Sequence, residues 1–107
     1  VSVIGSKAFS NCYSLKKITI PSSVTIIRGE TFYKWTSLIE VIIPSSVIKI
    51  GPSAFYECSS LRKISLPPVI EAISTSLFYD CSSLWHISVP SKVTSIGDES
   101  FKICESL

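Results

Sequence analysis

The chain is poor in histidine, in charge and in long apolar runs. It has 107 residues, of which one is histidine and 17% are charged, and its net charge is +2. A charge balance this small gives no support for a nucleic-acid surface. No run of about 18 or more apolar residues occurs, so the sequence predicts no membrane-spanning helix. The hydrophobic content of 46% excludes a disordered chain, and the length is that of one domain.

Processing signals are also missing. The single asparagine, Asn11, precedes Cys12 and Tyr13, so no N-glycosylation sequon is present. Val1 opens the chain without a basic and apolar leader, so no signal peptide is recognised. Because the chain also lacks an initiator methionine, we expect a fragment or a processed chain, which leaves a lost signal peptide open.

Repetition is what the chain has in abundance. A phenylalanine returns every 23 residues, at Phe9, Phe32, Phe55, Phe78 and Phe101. A fixed period of this length indicates a stack of identical structural units. The units are 1–23, 24–46, 47–69 and 70–92, with a partial fifth at 93–107. Two further columns keep the same register: Ile4, Ile27, Ile50, Ile73 and Ile96, and Leu15, Leu38, Leu61, Leu84 and Leu107.

Each unit contains one strand signal. Ile18 and Ile20 alternate with polar residues, which predicts a short strand, and Pro21 ends it because proline has no N–H for the ladder. We predict parallel strands at roughly 16–20, 39–43, 62–66 and 85–89. Neighbouring strands are expected to lie about 4.8 Å apart. The segment from Val1 to Ile4 and its copies are expected to run extended, away from the main strand.

The other half of each unit predicts a turn. The spacing of Ala8, Phe9 and Cys12 indicates one turn of α-helix or 3₁₀-helix near 6–11 and at the equivalent positions. A glycine precedes this segment in three of the units, at Gly5, Gly51 and Gly97. These glycines are expected to ease the chain reversal. Because a helical turn is wider than the spacing between strands, we expect the turns on a convex side and the sheet on a concave side.

The unit resembles a leucine-rich repeat of the BspA-like type, the surface-protein-A or treponemal class. The resemblance rests on Leu61-x-x-Ile64-x-Leu66-Pro67 and on Ile50-Gly51-x-x-Ala54-Phe55-x-x-Cys58-x-x-Leu61, and it covers the whole chain. The departures are Trp35 in the cysteine column, Thr31, Leu77 and Ser100 in the alanine column, and Pro68-Val69 in place of Ser-Ser.

The resemblance implies a right-handed leucine-rich-repeat solenoid, with a parallel sheet on the concave side and short helical turns on the convex side. Residues 1–107 form a single array. Neither end shows a polar capping unit, which solenoids need for solubility. We therefore expect a fragment of a longer array, whose end units fray or associate end to end.

Two columns outside the strands are interpreted as packing. Cys12 lies two units from Cys58, too far for a disulfide, and of Cys58, Cys81 and Cys104 only one adjacent pair could bond. This is not a disulfide framework, and no short cysteine pair indicates zinc. The column of Tyr33, Tyr56 and Tyr79 is interpreted as a stacked ladder, with a recognition patch as the alternative.

No catalytic, metal or cofactor site is predicted. His86 is the only histidine, and the serines that a triad would need fall in repeat columns, which marks them as turn or capping residues. The acids do not recur in one column, so a calcium-binding repeat is not indicated: Asp80, Asp98, Glu99 and Glu105.

The concave face is the predicted binding surface, because its columns vary while the core columns repeat. The candidate residues are Lys16, Lys17, Thr19, Ile39, Glu40, Ile42, Arg62, Lys63, Ser65, Trp85, His86 and Ser88. Trp85, beside His86, Arg62 and Lys63, forms an aromatic and basic hot spot. The alternative is a merely solvated sheet face.

The resemblance also implies a function. BspA-like repeats occur in surface proteins of mucosal bacteria and anaerobic protists, where they are linked to adhesion to host matrix proteins and cells. The leading hypothesis is therefore a non-enzymatic protein-recognition module, at the cell surface or secreted, with a protein ligand and neither nucleic acid nor membrane insertion. One alternative is an intracellular scaffold for a regulatory protein, which unpaired cysteines favour. Another is a structural spacer.

Overall fold

The computed structural model describes residues 3–4 and 14–107. In this part of the chain the strands are short and follow one another at regular intervals. They are β1 (Val3–Ile4), β2 (Lys17–Thr19), β3 (Ile26–Ile27), β4 (Glu40–Ile42), β5 (Lys49–Ile50), β6 (Lys63–Ser65), β7 (Ala72–Ile73), β8 (His86–Ser88) and β9 (Ser95–Ile96).

The strands form parallel sheets whose register equals the repeat period. β2, β4, β6 and β8 form a four-stranded sheet in that order, and Ile18 lies opposite Val41. The prediction of four parallel strands is confirmed, and each strand lies inside its predicted range. The remaining strands pair in the orders β1-β3-β5 and β7-β9. They are the extended segments that the columns of Ile4 and its copies predicted.

The core is built from the repeat columns. The rings of Phe32 and Phe55 stack with centroids 5.1 Å apart, and the same stacking continues at 5.6 Å to Phe78 and at 5.6 Å to Phe101. Burial depends on a neighbour on each side: Leu61 is 0% exposed, whereas Leu15, in the same column of an end unit, is 47% exposed. Core stability is therefore a sum over contacts between adjacent units.

The turns are not helices, which corrects the prediction of helical or 3₁₀ turns. Residues 29–34, 52–57, 75–80 and 98–103 form hydrogen-bonded turns, and the segment near 6–11 lies outside the described residues. In each turn two non-glycine residues have a positive φ; in the first they are Glu30 at 62° and Lys34 at 57°. A helix needs negative φ throughout.

The residues with positive φ orient backbone N–H groups toward the next unit. The N–H groups of Glu30, Phe32 and Lys34 donate to the next unit, to the carbonyls of Pro52, Ala54 and Tyr56 at 3.2, 2.9 and 2.7 Å. Between them, Tyr33 N–H donates to the Glu30 carbonyl at 3.2 Å, within the turn. In a helix, all of these N–H groups would donate to carbonyls of their own unit. The residues with positive φ therefore allow a ladder of hydrogen bonds between units on the turn side.

The glycines are needed for close packing and not for a positive φ. No glycine in the described residues has a positive φ. A Cβ on Gly51 would lie 2.9 Å from the carbonyl carbon of Arg28, and a Cβ on Gly97 would lie 2.8 Å from the Cα of Thr75. Neighbouring units therefore approach each other so closely that a side chain at either position would displace backbone.

One step of the stack is less completely paired than its neighbours. β2 pairs with β4 over three residues, as β6 does with β8, but β4 and β6 are in register only at Glu40 and Lys63. On the opposite side, β5 and β7 do not pair in the described chain. We call the boundary between residues 41–51 and residues 64–74 the seam.

Backbone hydrogen bonds follow the same pattern. Ile20 N–H donates to the Ile42 carbonyl at 3.0 Å, and one step beyond the seam Leu66 N–H donates to the Ser88 carbonyl at 3.1 Å. At the seam, the corresponding bond from Ile43 N–H to the Ser65 carbonyl is not formed among the described residues. The two strands therefore separate toward their carboxyl ends.

A side-chain hydrogen bond found in the preceding step is also absent at the seam. The Ser46 hydroxyl donates to the Val24 carbonyl at 2.7 Å and so joins the end of the unit 24–46 to its beginning, one step down the stack. The same column holds Val69 in the third unit, and valine has no hydroxyl to link across the seam. There the Ser74 hydroxyl donates to the Ile50 carbonyl at 2.6 Å, in a part of the ladder where backbone pairing is missing.

Candidate protein-binding face

The residues predicted to bind lie together on the outward side of the four-stranded sheet. We call this surface the strand face, and it has three rows: Lys16, Ile39, Arg62 and Trp85; Lys17, Glu40, Lys63 and His86; Thr19, Ile42, Ser65 and Ser88. Ile39 and Glu40 are half-buried, and the other residues are exposed. Alternation along the strands places the second and third rows on one face. The first row precedes the strands, and Ile39, Arg62 and Trp85 line a groove together with Glu40 and Lys63 of the second row.

Backbone hydrogen bonds hold the row that precedes the strands. Ile39 N–H donates to the Lys16 carbonyl at 2.7 Å, Arg62 N–H to Ile39 at 3.1 Å, and Trp85 N–H to Arg62 at 2.9 Å. The row is thus fixed by the stack itself, and its side chains can differ without a change in the fold.

Charge is unevenly distributed on the strand face. The Lys17 ammonium lies 3.7 Å from a Glu40 carboxylate oxygen, in an ion pair between partly exposed side chains. Lys63 and Arg62 form no ion pair among the described residues. The half of the face near β6 and β8 therefore carries uncompensated positive charge.

The predicted hot spot is a groove with an aromatic wall. Trp85 is 60% exposed, and a groove of about 280 Å³ is lined by Ile39, Glu40, Arg62, Lys63 and Trp85. An exposed tryptophan beside cations is typical of residues that dominate binding energy at interfaces.

His86 extends this patch. Its ring centroid lies 5.7 Å from that of Trp85, and its Nε2 lies 3.4 Å from the Ser88 hydroxyl. No ion pair joins it to a carboxylate in the described part of the chain.

A second groove opens on the same face at the seam. It measures about 400 Å³ and is lined by Glu40, Val41, Ile42, Ile43, Lys63, Ile64, Ser65 and His86. The sequence does not predict this groove, because it depends on how completely β4 and β6 pair, and the repeat columns are the same in steps that pair fully.

The cysteine column is a set of packed thiols. Cys58, Cys81 and Cys104 are free, and their Sγ atoms donate to the Phe32, Phe55 and Phe78 carbonyls at 3.2, 3.2 and 3.0 Å. Cys12 lies outside the described residues. Burial raises the pKa of the Cys58 thiol to about 12 and raises the pKa values of Cys81 and Cys104 as well. A reactive cysteine needs the opposite shift.

Trp35 stands in the cysteine column and keeps its role. Its indole Nε1–H donates to the Leu15 carbonyl at 3.1 Å, and its side chain is 0% exposed. The larger ring is therefore buried as the thiols are, but its hydrogen bond goes to the carbonyl of the leucine column and not to that of the phenylalanine column.

The tyrosine column forms a stacked ladder, as interpreted. Ring centroids lie 5.0 Å apart for Tyr33 and Tyr56 and 4.6 Å apart for Tyr56 and Tyr79. The rings are half-buried. Partial burial raises the pKa of Tyr56, and the neighbouring Tyr79 adds to the shift. Beside the tyrosine column, Lys34 forms an ion pair with Glu57, its ammonium lying 4.0 Å from a carboxylate oxygen.

Residues 3–4 and 14–107 contain no group of three or more His, Cys, Asp or Glu side chains arranged to hold a metal ion. The same residues include no helix with the length and hydrophobicity to cross a bilayer.

Comparison with known proteins agrees with the geometry. The family model described as the BspA type leucine rich repeat region matches residues 1–107 in six copies. The chain belongs to the BspA-type leucine-rich repeat family. Its stacked units, parallel strands and 23-residue register are those of a leucine-rich-repeat solenoid. No curated protein matches the chain.

Solved structures of leucine-rich repeat proteins align with nearly the whole chain. The T. pallidum leucine-rich repeat protein TpLRR is 34% identical, with a TM-score of 0.93 over 100% of this chain and 50% of its own. A leucine-rich repeat protein from Bacteroides ovatus is 31% identical, with a TM-score of 0.81 over 99% of this chain and 33% of its own. A leucine-rich cell surface protein from Faecalibacterium prausnitzii is 28% identical, with a TM-score of 0.63 over 100% and 41%. This chain thus spans half or less of each.

Proposed function

We propose that this BspA-type array binds a protein through its strand face and serves in adhesion at a cell surface, to host or matrix proteins. The observation that carries the proposal is the set of three aligned rows, whose residues differ from unit to unit while the core columns repeat. Leucine-rich-repeat modules are generally protein-binding and non-enzymatic. The surface assignment draws support from the similar F. prausnitzii protein, which is described as a cell surface protein.

The free cysteines do not favour an intracellular scaffold as much as their number suggests. Cys58 and Cys81 are 0% exposed, and burial raises the pKa of each thiol. A thiol that is buried and protonated reacts slowly with oxidants. These two residues are therefore compatible with an oxidising environment.

The test compares binding with and without the strand-face hot spot. Purified chain is offered to immobilised matrix proteins and, in parallel, to cytosolic extract. The variant Arg62→Ala/Lys63→Ala/Trp85→Ala is expected to lose at least about tenfold in affinity for the partner. Unchanged affinity would remove the strand face as the binding surface.

The control variant carries similar changes away from the strand face. Ile48, Lys49 and Lys92 are exposed and lie outside its three rows. The variant Ile48→Ala/Lys49→Ala/Lys92→Ala is expected to bind like the unmodified chain. Binding to cytosolic proteins alone would support the scaffold, and binding to neither set would support a spacer.

A further inference from the structure

The groove at the seam combines an apolar floor with a basic rim. Val41 and Ile64 are buried beneath it, and Ile42 is 42% exposed. Lys63 and His86 stand at the rim from the two neighbouring strands β6 and β8. The groove is part of the strand face and opens where β4 and β6 separate.

Its charges are unequal. Glu40 is the only acid that lines the groove, and it already pairs with Lys17 at 3.7 Å. Lys63 faces Glu40 in register but forms no ion pair among the described residues, and neither does Arg62. A carboxylate brought by a partner would meet these cations without displacing a partner they already have.

The separated strands also leave a backbone donor. Ile43 lines the groove, and the bond that its N–H would make to Ser65 is not formed in the described chain. An unpaired backbone donor is stabilised by an acceptor oxygen from a ligand or from water. Both the side-chain charge and the backbone thus favour a ligand that supplies oxygen acceptors.

We propose that this groove docks an extended, acidic segment of a partner protein. The segment extends from this groove into the adjoining groove, because Glu40 and Lys63 line both. Its aspartate or glutamate carboxylates pair with Lys63 and, in the adjoining groove, with Arg62, and its apolar side chains pack on Ile42 in the seam groove and on Trp85 in the adjoining one. This proposal rests on the proposed function, because it names the partner chemistry for the same strand face. Opposite charge on the two surfaces also accelerates association, and salt weakens it.

The probe is a short, fluorescently labelled peptide that alternates glutamate with valine. A second peptide carries glutamine in place of each glutamate. Fluorescence polarisation measures the affinity of both for the whole chain. The acidic peptide is expected to bind at least about tenfold more tightly, and its affinity is expected to fall as salt is raised.

Matched variants locate the interaction. Lys63→Gln is expected to weaken the acidic peptide about fivefold, whereas Lys49→Gln, the same change at an exposed lysine off the strand face, leaves it unchanged. Glu40→Gln is expected to strengthen binding, because it removes the one acid of the groove. In amide NMR spectra the peptide is expected to shift the signals of Ile43, Ser65 and His86.

The outcomes separate this proposal from the proposed function. Equal binding of both peptides, with loss in Trp85→Ala, would overturn the acidic segment and leave the strand face as a binding surface. Binding of neither peptide, or equal effects of Lys63→Gln and Lys49→Gln, would also overturn it. The proposed function would still be decided separately by the matrix-protein experiment.

Discussion

The Ser46 hydroxyl donates a hydrogen bond to the Val24 carbonyl at 2.7 Å and closes one step of the stack. In the next step the same column holds Val69; there β4 and β6 are in register only at Glu40 and Lys63, and β5 does not pair with β7 in the described chain. The hydroxyl is not required for closure, since the step beyond the seam is fully paired with Lys92 in this column, but Ser46 supplies a hydrogen bond that Val69 lacks.

Val69→Ser is expected to add a hydrogen bond across the seam. The new hydroxyl lies in the column from which Ser46 reaches Val24, and the lost valine is already 37% exposed, so only part of its apolar surface is given up. We expect a gain of about 1 kcal/mol in the free energy of unfolding, measured in urea. Amide exchange at Glu71 and Ser74 is expected to slow. The matched change Ser46→Val should cost a similar amount, and no effect from either variant would contradict this account.

Gly51→Ala is expected to destabilise the chain by about 1–3 kcal/mol. A Cβ there would lie 2.9 Å from the carbonyl carbon of Arg28, which belongs to backbone and moves only with the unit. Thermal unfolding measures the loss. Arg28→Ala, in the same column but with an exposed side chain, serves as the control. Equal stability of Gly51→Ala and the unmodified chain would show that the units separate easily.

Ile103→Gly is expected to stabilise the chain by about 1 kcal/mol. Ile103 has φ of 62°, which is unfavourable for a β-branched residue, and its side chain is 44% exposed. At Ile96, which is 61% exposed and lies in β9, φ is not positive. Ile96→Gly is therefore expected to lower stability by about 1 kcal/mol. Urea unfolding of both variants provides the comparison, and a loss in Ile103→Gly would refute the strain argument.

The buried thiols are expected to make stability fall in alkaline solution. Burial raises the pKa of Cys58 from 9.0 in an exposed thiol to about 12, so the folded state holds the proton that the unfolded chain loses. The contribution of Cys58 is complete below pH 9 and is lost as the pH rises toward about 12. The slope is at most about 1.4 kcal/mol per pH unit for each thiol.

Comparison with Cys58→Ala isolates this effect. The variant lacks one titrating thiol, so its free energy of unfolding is expected to decrease less steeply between pH 9 and about 12. Parallel curves for the two proteins would contradict the assignment. In the native state, thiol reagents are expected to modify the half-buried Cys104 before Cys58 or Cys81.

The period of the sequence determined the register, the core columns and the positions of the strands. Stacked units bury identical positions against each other, so Phe55, Leu61 and Ile64 could be assigned to the core from spacing alone. Alternation along the strand also assigned Lys63 and Ser65 to the outward face.

Tertiary structure decided what the spacing could not. The Phe32 turn resembled a helix in the sequence, yet its N–H groups bond to the next unit, and only the stack provides those acceptors. Gly51 is required by a neighbouring backbone rather than by its own φ. The Lys17–Glu40 pair and the groove at the seam depend on distances between units. A repeat period fixes which residues are neighbours, but the completeness of their hydrogen bonding is decided only when the units pack.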